Sequence, residues 1–150
     1  MTIIVWDGKT LAADKQVSDG DVKVKVTKIR KIRGALCGAA GDWDYAQALF
    51  NWFKDGAIPD NYPDSQKDKD DSVEMLVITS DKRILKYEQS PYPMDFTEAG
   101  KHACGSGAEV AYGAIAMGAD AVRAVEVASE TLTTCGMGVD TLTFEDRLYD

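Results

Sequence analysis

The chain has 150 residues, 45% of them hydrophobic and 28% charged, with a formal net charge of −8. That length and balance fit a single globular domain over residues 1–150, with one sizeable core. The acidic balance argues against nucleic acid as a partner, and no apolar run approaches a membrane span or a secretory signal, so a cytoplasmic protein with no membrane partner is expected. Cys37, Cys104 and Cys135 show no paired spacing, as expected of reduced thiols, and with the single histidine, His102, they form no metal-ligand pattern.

In chain order, Ile3-Ile4-Val5-Trp6 reads as a short apolar strand, Asp7-Gly8-Lys9 as a hairpin turn, and Thr10 to Lys15 as the returning strand. Removal of Met1 would make Thr2 a free N-terminal threonine at the head of this hairpin. One residue would then carry a hydroxyl nucleophile and an α-amine base. A threonine hydroxyl is weak at its own pKa and needs such a base. The amine titrates near about pH 7.7–8.0 in model compounds, so it can accept the proton at neutral pH without a catalytic histidine.

Ser18 to Asp21 is a second turn, and Val22, Val24 and Val26 alternate with Lys23 and Lys25, predicting a strand with the valines on one face and the lysines solvated on the other. Ile29 to Arg33 and Ala35-Leu36-Cys37 read as the next two strands, broken at Gly34. Gly38-Ala39-Ala40-Gly41 reads as a small-residue loop that permits close approach of a backbone or ligand. A helix starting at Asp42 or Asp44 presents Tyr45, Ala48, Leu49, Trp52 and Phe53 as a core stripe and stops at Gly56. Pro59 to Ser72 is a polar loop with a charge run at Lys67 to Asp71, read as a solvated excursion.

Val73 to Thr79 and Arg83 to Tyr87 form a predicted hairpin, and Pro91, Pro93 and Gly100 mark an irregular stretch. Two helices follow. The first runs from Ala108 to Met117 with Val110, Ala111, Ala114 and Ile115 inward. The second is capped by Asp120, with Ala121, Val125, Ala128 and Leu132 on one face. Val139 to Phe144 closes the chain as a strand. Strands and helices are grouped, which indicates a layered α+β domain.

The opening Thr2 hairpin with Leu11-Ala12-Ala13-Asp14, the Lys28-Ile29-Arg30 strand, the Gly38 to Gly41 loop and the Gly105-Ser106-Gly107 helix start occur together in this order. In these features the chain resembles the proteasome-like N-terminal nucleophile hydrolases, most closely the small bacterial HslV-type and phage-encoded versions. The resemblance implies a four-layer αββα sandwich, with two antiparallel sheets face to face and helices outside. It also implies that Thr2 is the nucleophile, that Asp14 and Lys28 tune it, that the Gly41 N–H holds the oxyanion, and that Ser106 bonds the terminal amine. A helix N-cap is the plainer role for Ser106. Positions lining the side-chain specificity pocket fall near Val26, Arg30, Ala39 and Trp43.

The implied activity is a threonine-type endopeptidase working in stacked rings of identical subunits on peptides or unfolded proteins, with an ATP-dependent unfoldase as a possible partner and no cofactor. Two departures from the family pattern stand out. The Leu132 to Gly136 segment carries no acidic residue, with Cys135 where a serine is usual, and the chain is short in its opening hairpins. Retained Met1 would also acylate the amine. These features frame the alternative of a catalytically silent ring or scaffold protein. A small-amide amidohydrolase of the same nucleophile type is a third reading.

Overall fold

The computed structural model describes residues 2–64 and 73–146. Met1 and the predicted charge run at Lys67 to Asp71 lie outside the described residues.

The opening hairpin is β1 (Ile4–Trp6) and β2 (Leu11–Asp14), turned by Asp7, whose Oδ1 accepts from the N–H groups of Lys9 and Thr10 at 2.9 and 2.8 Å. β3 (Gln16–Asp19) and β4 (Val22–Lys25) form a separate two-stranded ribbon. Then come β5 (Ile29–Ile32), β6 (Ala35–Ala40) and α1 (Trp43–Lys54), followed by β7 (Glu74–Ile78), β8 (Ile84–Tyr87) and β9 (Met94–Asp95). The last part comprises β10 (His102–Cys104), α2 (Ala108–Ala116), α3 (Ala121–Thr131) and β11 (Val139–Leu142).

Two antiparallel sheets result, one in the order β10-β1-β2-β11 and the other β5-β6-β7-β8-β9. Strand alternation explains how they stack. Ile3, Val5 and Ala12 face Ala121, Ala124, Val125 and Ala128 of α3, whereas Ile4, Trp6, Leu11 and Ala13 face Leu36, Leu76 and Ile78 of the second sheet. On that sheet's far side Cys37, Ala39, Met75 and Val77 meet Leu49, Phe50 and Phe53 of α1. The architecture is the four-layer αββα sandwich. Ile3 to Trp6 is apolar throughout because both faces of β1 are covered.

Several local expectations are corrected. Gly38 to Ala40 is not loop but the buried end of β6, where a Cβ on Gly38 would come within 3.0 Å of Ile29 Cγ2 and Ile4 Cδ1. The glycine permits the two sheets to approach at that point. β4 has no buried face: Val22 and Val24 are 63% and 42% exposed, because the ribbon projects beyond both sheets. The buried set of α1 is Ala46, Leu49, Phe50, Trp52 and Phe53, so the stripe is turned from the predicted one, with Tyr45 and Ala48 half-buried at its margin. Only Ala111 of α2 is fully buried, since α2 lies at the outer surface beside α3. β9 and β10 were not predicted; each is too short to show a period.

Candidate active site

The register of the first sheet builds the site. Ile4 pairs with Ala13 on one side and Cys104 on the other, so continuing both ladders outward sets Ile3 opposite Asp14 and Thr2 opposite Ser106. The contacts agree. The Ile3 N–H donates to Asp14 Oδ1 at 3.2 Å, and the Thr2 nitrogen donates to Ser106 Oγ at 3.2 Å. The Thr2 carbonyl accepts from the Gly107 N–H at 3.2 Å.

Lys28 arrives from the other sheet. Its Nζ donates to Thr2 Oγ1 at 2.7 Å and to Asp14 Oδ1 at 2.8 Å. Thr2, Asp14 and Lys28 are 3%, 0% and 0% exposed, so this cation and carboxylate meet the hydroxyl away from bulk water. The second Asp14 oxygen accepts from the N–H groups of Gln16 at 3.4 Å and Gly136 at 3.0 Å. Burial pulls the Lys28 ammonium below the ordinary lysine range, and the facing Asp14 carboxylate opposes that pull without cancelling it. The choice of Lys28 over Lys25 is a matter of register: Lys25 belongs to the exposed ribbon.

Ser106 is not the helix cap. Gly107 occupies the N-cap of α2 without a side-chain bond, while Ser106 Oγ lies 3.5 Å from Thr134 Oγ1 and 3.4 Å from the Thr2 carbonyl. Thr134 therefore stands beside Ser106 in the segment that lacks an acid. The neighbouring Cys135 thiol is buried, and desolvation, then the Asp14 charge, push its pKa up, which leaves it an unreactive thiol at neutral pH.

Two further residues hold the threonine in place. Gly105 adopts φ +100°, and a Cβ there would sit 2.1 Å from the Thr2 carbonyl oxygen. Its N–H donates to Glu74 Oε2 at 3.0 Å, while Glu74 Oε1 accepts from Lys86 Nζ at 3.1 Å, which ties the Thr2 end of the first sheet to the second. Gly105→Ala is expected to lower stability by about 1–3 kcal/mol through overpacking and left-handed strain. Urea unfolding measures this, and an unchanged midpoint would show that Thr2 and Gly105 can separate. The Gly105-Ser106-Gly107 motif pointed to this corner. Nothing in the sequence marked Glu74, which is a lone acid in a short strand.

Gly41 lies in the turn from β6 into α1 with φ +110°, just before the N-cap Asp42. Of the expected pocket positions, Ala39 is 1% exposed beneath α1, while Arg30 on β5 and Trp43 at the start of α1 are half-buried on that same side of the sheet. Val26 is half-buried between β4 and β5, its N–H bonded to the Lys15 carbonyl at 2.8 Å.

No protein-family model and no curated protein matches the sequence. Solved structures do. The chain superposes on Thiobacillus denitrificans BPH in complex with epoxomicin with a TM-score of 0.69 at 18% identity, covering 94% of this chain and 96% of that one. For eukaryotic HslV from Trypanosoma brucei the TM-score is 0.68 at 20% identity, over 94% of this chain and 97% of that one. For the Gly-1 mutant of Anbu from Hyphomicrobium sp. strain MC1 it is 0.69 at 12% identity, over 95% and 81%. At these identities the likeness establishes the fold, that of the HslV and proteasome-like sandwich.

Proposed function

We propose that the chain is a threonine-type endopeptidase whose nucleophile is Thr2 after removal of Met1. The observation that carries this reading is the buried contact of Thr2 Oγ1 with Lys28 Nζ at 2.7 Å, the same ammonium donating to Asp14 Oδ1 at 2.8 Å. Thr2 Oγ attacks the scissile carbonyl carbon, and its proton passes to the Thr2 amine, held by Ser106. The Lys28 cation stabilises the alkoxide character that develops on Oγ. The Gly41 N–H receives the oxyanion, a role typically worth about 3–4 kcal/mol of barrier. Collapse of the tetrahedral intermediate breaks the C–N bond, the amine proton goes to the leaving nitrogen, and water hydrolyses the resulting ester.

Thr134 serves this scheme as a hydroxyl neighbour for Ser106 where the family pattern has a carboxylate. Thr134→Val is expected to lower kcat/KM two- to tenfold, the worth of one hydrogen bond of roughly 0.5–1.5 kcal/mol. An unchanged kcat/KM would remove Thr134 from the amine's surroundings.

Assembly into rings of identical subunits, with peptides or unfolded proteins entering an inner chamber, belongs to the same proposal, as does an unfoldase that feeds it. The exposed valines of the β3–β4 ribbon and Met117, which is 89% exposed, supply apolar surface for subunit contacts. The test of the chemistry is the intact mass of the purified protein before and after treatment with a peptide epoxyketone, a reagent that reacts with hydroxyl and amine together. Loss of Met1 and one adduct at Thr2 support the reading. Retained Met1 with no adduct favours the silent ring protein.

A further inference from the structure

Arg30 follows Lys28 by two residues. The Ala39 N–H donates to the Lys28 carbonyl at 3.4 Å, which extends the β5–β6 ladder back to Lys28. Lys28 and Arg30 therefore leave the strand on the same side, with Ile29 turned into the core between the sheets. Two strand residues span about 6.5–7 Å, so the Arg30 Cα lies that far along the strand from the lysine that touches Thr2.

The surroundings of Arg30 come from α1. Its Nη2 donates to Gln47 Oε1 at 3.2 Å, and the guanidinium carbon sits 4.2 Å from the centre of the Phe50 ring. Among the described residues no carboxylate pairs with this half-buried cation. Gln47 Nε2 is buried and has no hydrogen-bond partner. Because Arg30 occupies Oε1, the amide orientation is set, and both amide protons are left unused. A buried donor without an acceptor is costly, and here it lies beside an unpaired guanidinium.

Both groups are donors, and both call for an acceptor with more than one lone pair. A carboxylate fits the guanidinium fork and carries the opposite charge. Ala39 is small, and Trp43 supplies an apolar wall on the same side. We propose, resting on the threonine-peptidase reading, that Arg30 and Gln47 form between β5 and α1 a recess for the carboxylate side chain of the residue whose carbonyl Thr2 attacks, so that the protein cleaves after Glu or Asp. The net charge of −8 repels an acidic peptide at long range, so the discrimination has to be made locally by Arg30 and Gln47.

The experiment measures kcat/KM of the full chain, its loss of Met1 verified by mass, on peptides that differ only in having Glu, Gln or Leu before the scissile bond. The expected result is a preference for Glu over Gln of tenfold or more, falling to about one in Arg30→Met and to an intermediate ratio in Arg30→Lys. Equal rates for Glu and Gln, or a preference for Leu, overturn the inference while leaving the peptidase standing. If no peptide is cleaved, the peptidase reading fails, and binding of acetylated, C-terminally amidated peptides to the wild-type chain decides the recess alone. Tenfold tighter binding of the Glu peptide over the Gln peptide then supports it, and equal binding overturns it. Thermal unfolding of both Arg30 variants identifies a ratio lost through misfolding.

Discussion

Thr2→Ala should reduce peptide hydrolysis on the order of 10⁴-fold or more, the usual consequence of deleting a nucleophile that acts as one unit with its base. Alanine at the second position is small enough for the same removal of Met1, so the variant keeps the free amine and loses only the hydroxyl and a methyl. The change isolates nucleophilicity from maturation. The fold should survive it. Lys28 loses Thr2 Oγ1 but keeps Asp14 at 2.8 Å, so the stability cost is that of one hydrogen bond, about 1 kcal/mol. Thr2→Ser retains the hydroxyl and should retain measurable turnover. The assay is kcat/KM on a cleavable peptide, with circular dichroism and particle size as the check on folding and assembly. Full activity in Thr2→Ala would sink the mechanism, because it would show that the hydroxyl held by Lys28 Nζ at 2.7 Å is not the nucleophile.

The parts of this site legible in the sequence are those carried by residue type and order. Thr2 with its own amine could be read from residue chemistry, whereas Asp14 and Lys28 were placed beside it by the resemblance to the proteasome-like hydrolases, since strand periods alone do not single out Lys28 among its neighbouring lysines. The Ser106 contact was likewise implied by the resemblance, residue chemistry alone suggesting a helix cap. What could not be read was the part made by long-range pairing. β10 is three residues long, yet its register opposite β1 sets Ser106 against Thr2. Glu74 reaches Gly105 across the gap between the sheets, a contact between residues 31 positions apart. The Gly38 to Gly41 stretch was read as a loop from composition. Gly38 serves instead to let β6 pass close beneath the first sheet, while Ala39 packs on the far side under α1, requirements visible only once both sheets exist. For the β3–β4 ribbon, alternation correctly gave a strand but carried no information on whether anything covers the valine face.

Asp14→Asn should be the most destabilising single change at the site, by about 3–5 kcal/mol. The Asp14 carboxylate is fully buried and accepts from four donors, Lys28 Nζ and the Ile3 N–H on Oδ1, and the N–H groups of Gln16 and Gly136 on Oδ2. An asparagine offers one oxygen and one NH2, so in either orientation the NH2 faces two donors. The substitution also removes the Asp14 charge 2.8 Å from the buried Lys28 ammonium, when burial already pulls that lysine towards its neutral form. Against a typical total of about 5–15 kcal/mol, such a loss leaves a marginal fold. Lys28→Met separates the two roles of the pair. It leaves Asp14 with its three backbone donors and fills much of the lysine's volume, so stability falls less than in Asp14→Asn, while loss of the cation beside Oγ1 should cost on the order of 10²–10³-fold in kcat. Urea midpoints and kcat per folded chain, measured on both variants, test that ordering. If Lys28→Met unfolds first and Asp14→Asn stays folded, the ion pair holds the sheets together through the lysine rather than through the carboxylate's backbone bonds. If Lys28→Met folds and turns over at the wild-type rate, the 2.7 Å contact is structural and the nucleophile must be tuned by its own amine alone.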